Sequence, residues 1–499
     1  MRFHGTWSAI IGACALCFIG YATAATLAPN IGSFGPRGPS LDNMGPRSPD
    51  MSAPRSDPTI RGSPTNDGSS PTGKGDGGKS GGSNITIRKL GGSGGSGGGK
   101  NSTGRLARGI NLPPSGERRY EPDKIVMELA DSLSDQAIET LLRRNRLARV
   151  ESLNLRLTNT RWFVGRILDG RAVPDVLRGL SGAPGVLTAQ PSYRVVLQQQ
   201  PETASPMTGV TESEQYTVTK LHLAQAHSVA KGDKVAVAII DSGIDTTHPE
   251  LQGVIAESYD ALGSTEPAHS HGTAIAGAIV AHAKLTGVAP AAHILAIRAF
   301  GVSGSSAEST TFTVLKSLDW AASHSARVVN MSFAGPFDPA VGRALTAVRQ
   351  KGIVLVAAMG NAGPKSPPLF PAADANVIAV TATDADDRLF AASNRGKHVA
   401  LAAPGVDILL PALGGAYQMS SGTSFAAAHV SGIVALLLER KPGLTPDDVR
   451  QILQSTAKDL GPKGRDDQFG FGLVDAYQAV LTLEPHSVGS ASPVNAPGR

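Results

Sequence analysis

Cysteine is almost absent from this 499-residue chain. There are two, Cys14 and Cys17, and both lie in an apolar N-terminal run. Once that run is removed, no disulfide framework, CxxC metal site or thiol nucleophile remains. The spacing Cys14-Ala15-Leu16-Cys17 sits inside a hydrophobic segment and carries no such chemistry. Aromatic residues make up 5% of the chain and charged residues 17%, both low. A nucleic-acid reading needs a basic face with interleaved aromatics, and none is legible, so no nucleic-acid partner is expected. The net charge of +5 comes from the front of the chain. Residues 26–115 hold 11 Lys/Arg against 5 Asp/Glu, residues 116–200 hold 13 against 10, and residues 201–499 hold 21 against 26. Beyond the N-terminus no window approaches the ~20 apolar residues of a membrane-spanning helix.

What is present begins with a targeting pattern. Arg2 precedes an apolar stretch from Trp7 to about Ile19, and Ala22-Thr23-Ala24 offers the small residues of a cleavage site, so residues 1–24 read as a signal peptide. The chain is then secreted or periplasmic; the alternative is an uncleaved segment that anchors it to the membrane. Residues 25–115 are rich in Gly, Pro and Ser and cannot bury enough apolar area to offset chain entropy, which predicts a disordered linker. The run Gly92 to Lys100 superficially suggests a phosphate loop, but Asn101 stands where Ser or Thr is needed and no strand precedes it. The last residues, 485–499, read as a disordered tail.

A small domain is expected over residues 116–200. Lys124–Leu129 and Arg161–Ile167 read as strands, Ser134 as the cap of a helix running to about Arg144, and Ala172–Leu180 as a second helix. Val186–Ala189 and Tyr193–Leu197 are the last extended segments. The order is close to β-α-β-β-α-β, an α+β ferredoxin-like arrangement.

Residues 208–484 alternate strands and helices. Lys234–Ile240, Ile294–Arg298, Val328–Met331, Ile353–Ala358 and Val377–Thr381 are apolar runs of buried-strand type. Thr273–Ala283, about Ser309–Ser323, Pro339–Lys351, Ser424–Arg440 and Thr445–Thr456 read as helices, with Asp338-Pro339 and Thr445-Pro446 each giving a cap and a first-turn proline. This alternation predicts an α/β fold, a mostly parallel sheet with helices on both faces. Reactive residues then belong outside the carboxyl ends of the strands.

Four residues fit that rule. Asp241 directly follows the strand Val235–Ile240, where a carboxylate can fix the tautomer of a histidine ring. His271, in His269-Ser270-His271-Gly272-Thr273, stands at a predicted helix start and suits general-base work. His269 is the competing candidate, and Asp245 is read as a loop or binding-site group. Ser424, in Ser421-Gly422-Thr423-Ser424-Phe425-Ala426, stands at a helix N-terminus, where dipole and backbone N–H favour a nucleophile with a developing oxyanion. Asn361 follows the strand Ile353–Ala358 and its amide can donate to that oxyanion.

The order Asp, His, Asn, Ser and the motifs around these residues resemble the subtilisin-like serine protease family over about residues 215–480. The resemblance implies a serine endopeptidase acting on peptide or protein substrates, with Asp241, His271 and Ser424 as triad and Asn361 as oxyanion donor. It implies that Ser332-Phe333-Ala334-Gly335 pairs with substrate backbone and, with Ala357, Ala358, Met359 and Gly360, walls the S1 pocket. Phe333 and Met359 there suggest an apolar P1 preference. Phe469 to Ala476 is similar to the family's closing segment. The small domain resembles the family's inhibitor-type propeptide, which implies a zymogen that processes itself and is blocked by its own propeptide, with the cut between about Leu197 and Val210 but not between Gln200 and Pro201. Ala428 stands where the family has Pro, and Ala334 where it has Gly. The chemistry requires no cofactor. The chain Ala283-Lys284-Leu285-Thr286 is too short for the family's strong calcium loop; structural calcium elsewhere stays open, with no metal ligands named. The rival reading of the whole is a catalytically inactive binding module on the same fold. A dinucleotide-binding enzyme would need GxGxxG after the first strand, and Ser242-Gly243-Ile244-Asp245 is not that motif.

Overall fold

Period-two apolar patterning builds the first lobe. In the computed structural model, which describes residues 109–198, 207, 214–264, 268–303 and 306–484, this lobe runs β1 (Tyr120–Leu129), α1 (Asp135–Arg144), β2 (Leu147–Leu155), β3 (Thr160–Ile167), α2 (Val173–Gly179) and β4 (Val186–Leu197). The signal peptide, nearly all of the linker and the tail expected from the sequence lie outside the described residues. The strands are ordered β2-β3-β1-β4 with every pair antiparallel, the split βαβ arrangement. Ser134 caps α1 by accepting from the Ala137 N–H at 3.2 Å. Two boundaries differ from the expectation. The lobe starts before residue 116, since the Asn111 N–H donates to the Ala189 carbonyl at 2.8 Å. The two final extended segments are one strand, β4, running unbroken through Gln190, Pro191 and Ser192.

The lobe's sheet is buried on both faces. Ile125, Met127, Leu129 and Phe163 pack with Ile138, Leu142, Val176 and Leu177 of the lobe's own helices. The alternate side chains Val126, Trp162, Val164, Val195 and Leu197 face the other way and join a second cluster. That cluster belongs mostly to the following domain.

The larger domain contains α3 (Tyr216–Lys220), α4 (Leu223–Ala226), β5 (Ala236–Asp241), β6 (Ile255–Asp260), α5 (Ser270–Val280), β7 (His293–Arg298), β8 (Gly301–Ser303), β9 (Ser306–Thr310), α6 (Thr311–Ser323), β10 (Val328–Met331), β11 (Phe333–Ala334), α7 (Pro339–Gln350), β12 (Val354–Ala358), β13 (Val377–Thr383), β14 (Val399–Pro404), β15 (Ile408–Pro411), β16 (Tyr417–Ser420), α8 (Thr423–Arg440), α9 (Pro446–Ser455) and α10 (Ala476–Leu481). Its main sheet is ordered β14-β13-β12-β10-β5-β7-β6, and all pairs are parallel. The strands read as continuous apolar runs because both faces are covered. Val237, Ile239, Val354 and Val356 pack on the side of α5 and α8, while Ala238, Ile240, Leu355 and Ala357 pack on the side of α6 and α7.

One expected helix starts later than read. Ser306–Thr310 is strand, not helix, and α6 begins at Thr311, capped by Thr310. The physical reason is a partner: β9 pairs antiparallel with β4, with Val195 opposite Ser309. On its other edge β4 pairs with β11, Leu197 opposite Phe333 and Val196 opposite Ala334. The last strand of the small lobe is thus inserted between two strands of the larger domain.

Candidate active site

Three strand ends and two helix starts meet where β4 ends. Asp241 is the last residue of β5 and is fully buried. Its Oδ1 accepts from His271 Nδ1 at 2.7 Å and from the Ser242 N–H at 2.8 Å. A carboxylate on Nδ1 leaves Nε2 as the free basic nitrogen of a neutral ring. His271 lies in the first turn of α5, and its Nε2 has no hydrogen-bond partner among the described residues. Gly272 is required by the approach of this helix to the β5 end: a Cβ there would stand 2.6 Å from the Ser242 carbonyl oxygen. His269, the competing histidine, is the N-cap of α5 and accepts from the His271 N–H at 3.2 Å. Asp245 is a loop group; its side chain accepts from Thr247 N–H, Thr247 Oγ1 and the Gly414 N–H.

Ser424 is the second residue of α8 and fully buried. Its hydroxyl donates to the Gln198 carbonyl at 2.5 Å and lies 3.2 Å from the Ser332 carbonyl. Asn361 follows β12, and its Nδ2 donates to the same Gln198 carbonyl at 3.0 Å. The orientation of that amide is set by Thr423, whose hydroxyl and N–H both donate to Asn361 Oδ1, at 2.7 and 3.1 Å. One side chain missed in the sequence, Asn394, holds the Asn361 loop at two points. Asn394 Nδ2 donates to the Met359 carbonyl at 3.0 Å, and Asn394 Oδ1 accepts from the Ala362 N–H at 2.9 Å. Gly360 adopts φ 105°, and a Cβ there would stand 2.3 Å from Asn394 Nδ2, so only glycine allows this approach. The signal for Asn394 in the sequence was its place in Ser393-Asn394-Arg395-Gly396, a turn-like stretch with no pattern of its own.

The segment expected to pair with substrate backbone pairs with residues 195–198 of this chain. The Gln198 N–H donates to the Ser332 carbonyl at 3.0 Å, and Leu197 and Val196 lie opposite Phe333 and Ala334. A Cβ on Gly335 would stand 2.5 Å from Val195 Cγ1. Ala357 and Ala358 end β12, and the Gly360 N–H donates to Thr423 Oγ1 at 3.1 Å. The side chains of Phe333 and Met359, from which an apolar preference was read, belong to the packed core with Phe300 and Leu315. Ala428, in place of Pro, is fully buried inside α8 without breaking it.

The short loop after α5 meets a carboxylate. Glu250, fully buried, accepts from the Ala283 and Lys284 N–H groups at 2.8 Å each, the Leu285 N–H at 3.1 Å and Tyr417 Oη at 2.8 Å. The N–H groups of this loop are thus spent on the Glu250 carboxylate. Among the described residues no group of three or more His, Cys, Asp or Glu could hold a metal ion, and no helix is long and apolar enough to cross a membrane.

A hydroxyl and an amide donor meet at one peptide carbonyl, and an imidazole held by a buried carboxylate stands at the start of a neighbouring helix; these are the group types that acyl transfer uses. The parallel sheet with helices on both faces narrows the class to serine hydrolases of α/β architecture. The profile of the Subtilase family matches residues 232–472. Thermitase of Thermoactinomyces vulgaris is 34% identical over 276 residues, 54% of this chain and 96% of that protein. Minor extracellular protease Epr of Bacillus subtilis is 35% identical over 277 residues, 54% of this chain but only 42% of Epr. Among solved structures, that of fervidolysin from Fervidobacterium pennivorans, a keratinolytic enzyme related to subtilisin, superposes with a TM-score of 0.63 at 26% identity, covering 75% of this chain and 63% of that one. The chain belongs to the subtilase family.

Proposed function

We propose that this chain is a secreted serine endopeptidase, made as a zymogen whose small lobe is a propeptide. The observation that carries the reading is the Gln198 carbonyl, held by Asn361 Nδ2 on one side and Ser424 Oγ on the other. Ser424 attacks a substrate carbonyl in that position. His271 Nε2 takes the hydroxyl proton and returns it to the leaving amine. Asp241 keeps the ring in the required tautomer and stabilises the imidazolium. Asn361 Nδ2 and the Ser424 N–H bind the oxyanion as charge develops. With Gln198 in the cleft the Ser424 hydroxyl points at that carbonyl instead of at His271, so it must turn before it can be deprotonated.

The same segment supports the inhibitory role. Residues 194–198 fill the groove between β9 and β11 and exclude any other peptide backbone from it. The N-terminal targeting pattern, and the extracellular character named for Epr, support secretion.

The test is the intact mass of the purified protein, wild type beside Ser424→Ala. Wild type should lose the small lobe and Ser424→Ala should retain it, with peptidase activity falling about 10⁶-fold. Undiminished proteolysis by Ser424→Ala would sink the assignment. An organophosphonate that labels wild type but not the variant separates an active enzyme from an inert binding module.

A further inference from the structure

The residue whose carbonyl meets Ser424 carries a polar side chain, and both ends of that side chain are paired. Gln198 is 8% exposed. Its Oε1 accepts from the Asn361 backbone N–H at 2.9 Å. Its Nε2 donates to the Val196 carbonyl at 3.2 Å and lies 3.5 Å from the Leu197 carbonyl. One residue of the enzyme, Asn361, therefore meets Gln198 twice, through its side chain at the carbonyl to be attacked and through its main chain at the amide.

We propose that this site selects glutamine at P1, and that the first bond the zymogen cuts is the one following Gln198. The proposal rests on the serine-peptidase reading above and adds its specificity. The β-pairing of Leu197 and Val196 with Phe333 and Ala334 fixes the register, so no neighbouring residue can present its carbonyl to Ser424 without a two-residue slip that preserves the side-chain faces. A glutamate would present a carboxylate oxygen to the Val196 and Leu197 carbonyls, acceptor against acceptor. A leucine or phenylalanine would leave the half-buried Asn361 N–H without this partner. Asparagine is one methylene too short to keep both contacts. A subsite built to hydrogen-bond a substrate discriminates strongly against analogues that lack the group.

The reaction balances as simple hydrolysis. The C–N bond after Gln198 breaks, water supplies OH to the Gln198 acyl group through the Ser424 ester, and the proton goes to the amine of Gln199. The new N-terminal glutamine can then cyclise on its own side chain with loss of ammonia.

Two measurements test this on the full secreted chain and its mature product. The first is the mass and N-terminal sequence of the mature protein, expected to begin at Gln199, free or cyclised. The second is kcat/KM on internally quenched peptides carrying Arg-Val-Val-Leu-X before the cut, with X as Gln, Glu, Leu or Phe. Gln is expected to exceed each of the others by roughly tenfold or more, and Gln198→Glu should slow the first cut of the zymogen by a similar factor. An enzyme that labels with organophosphonate and digests denatured casein, yet cuts Leu or Phe peptides as well as Gln, overturns the P1 proposal and leaves the proposed function standing. A wild-type protein that neither labels nor cuts any substrate overturns both.

Discussion

The two large sheets among the described residues are covered on two faces, but the covers have different origins. The parallel sheet of the larger domain is sandwiched by α5 and α8 on one side and α6 and α7 on the other, all from the same domain. The antiparallel sheet of the small lobe has only α1 and α2 of its own; its second face, with Val126, Trp162 and Val164, lies against Phe312, Leu315, Val341 and Leu345 of the larger domain. The polar ties follow the same seam. Gln190 Nε2 donates to Asp338 Oδ1 at 2.7 Å, the Leu157 N–H donates to Asp319 Oδ1 at 2.8 Å, and Arg343 lies 3.4 Å from Glu128 and over the Trp162 ring. The larger domain owns its stability and all the reacting groups. The small lobe shares its second face with the larger domain, so part of its buried apolar surface depends on that neighbour.

The sharpest way to break that contrast is Trp162→Ala, made in the uncut Ser424→Ala chain. Trp162 is 2% exposed, and emptying its site costs about 3–5 kcal/mol. Calorimetry should show the transition of the small lobe falling while that of the larger domain stays in place. A single transition shifted as a whole would mean that the two lobes fold as one unit and that the contrast is false.

Asn361→Leu sharpens the other half. It removes the amide donor at the Gln198 carbonyl but leaves the main-chain N–H, so kcat should fall ~10²–10³-fold with KM little changed. The larger domain's transition should also fall, by about 1–3 kcal/mol, because the Thr423 hydroxyl and N–H lose their acceptor. Next in size is Glu250→Gln. Exchanging a carboxylate that accepts from three backbone N–H groups for a neutral amide should lower the larger domain's stability by roughly 1.5–3 kcal/mol. Chelator added to wild type should leave that transition where it was; a drop on chelation would show a metal holding the domain elsewhere.

The legible parts of the molecule were those whose signal is local. β5, β10 and β12 are short apolar runs between polar segments. Asp241, His271 and Ser424 sit beside glycines and small residues that the close packing demands, as Gly272 shows. Thr445 and Asp448 form a reciprocal cap that can be read from four letters. The illegible parts have no local cause. β9 is Ser-Ala-Glu-Ser-Thr and is strand only because β4 lies beside it. β2 has an outward run, Arg149 to Asn154, that is mostly exposed, so its apolar alternation is faint. Gln198 looks like one of three glutamines in a row until the register with Phe333, over a hundred residues later, brings its carbonyl to Ser424. The side chains of Phe333 and Met359 lie in the core, and what meets Gln198 there is the main chain at Ser332 and at Asn361.

The smallest effect also tells the two lobes apart. Residues 109–198 contain no histidine, whereas the larger domain buries His429 within α8. Burial pushes His429 down to about 4, and the Pro404 carbonyl that accepts from Nδ1 at 2.8 Å offsets this only in part. The unfolded chain, with an ordinary histidine, takes up the proton first as pH falls. The contribution is therefore complete above about pH 6.5 and is lost progressively down to about pH 4, at about 1.4 kcal/mol per pH unit. His429→Asn, whose Nδ2 stands in for Nδ1 as the donor to Pro404, should abolish that extra acid slope in the larger domain's transition and leave the small lobe's unchanged. Measured between pH 6.5 and 4, parallel profiles for variant and wild type would show that His429 is protonated equally in both states, and that the acid sensitivity of the larger domain comes from its other titratable groups.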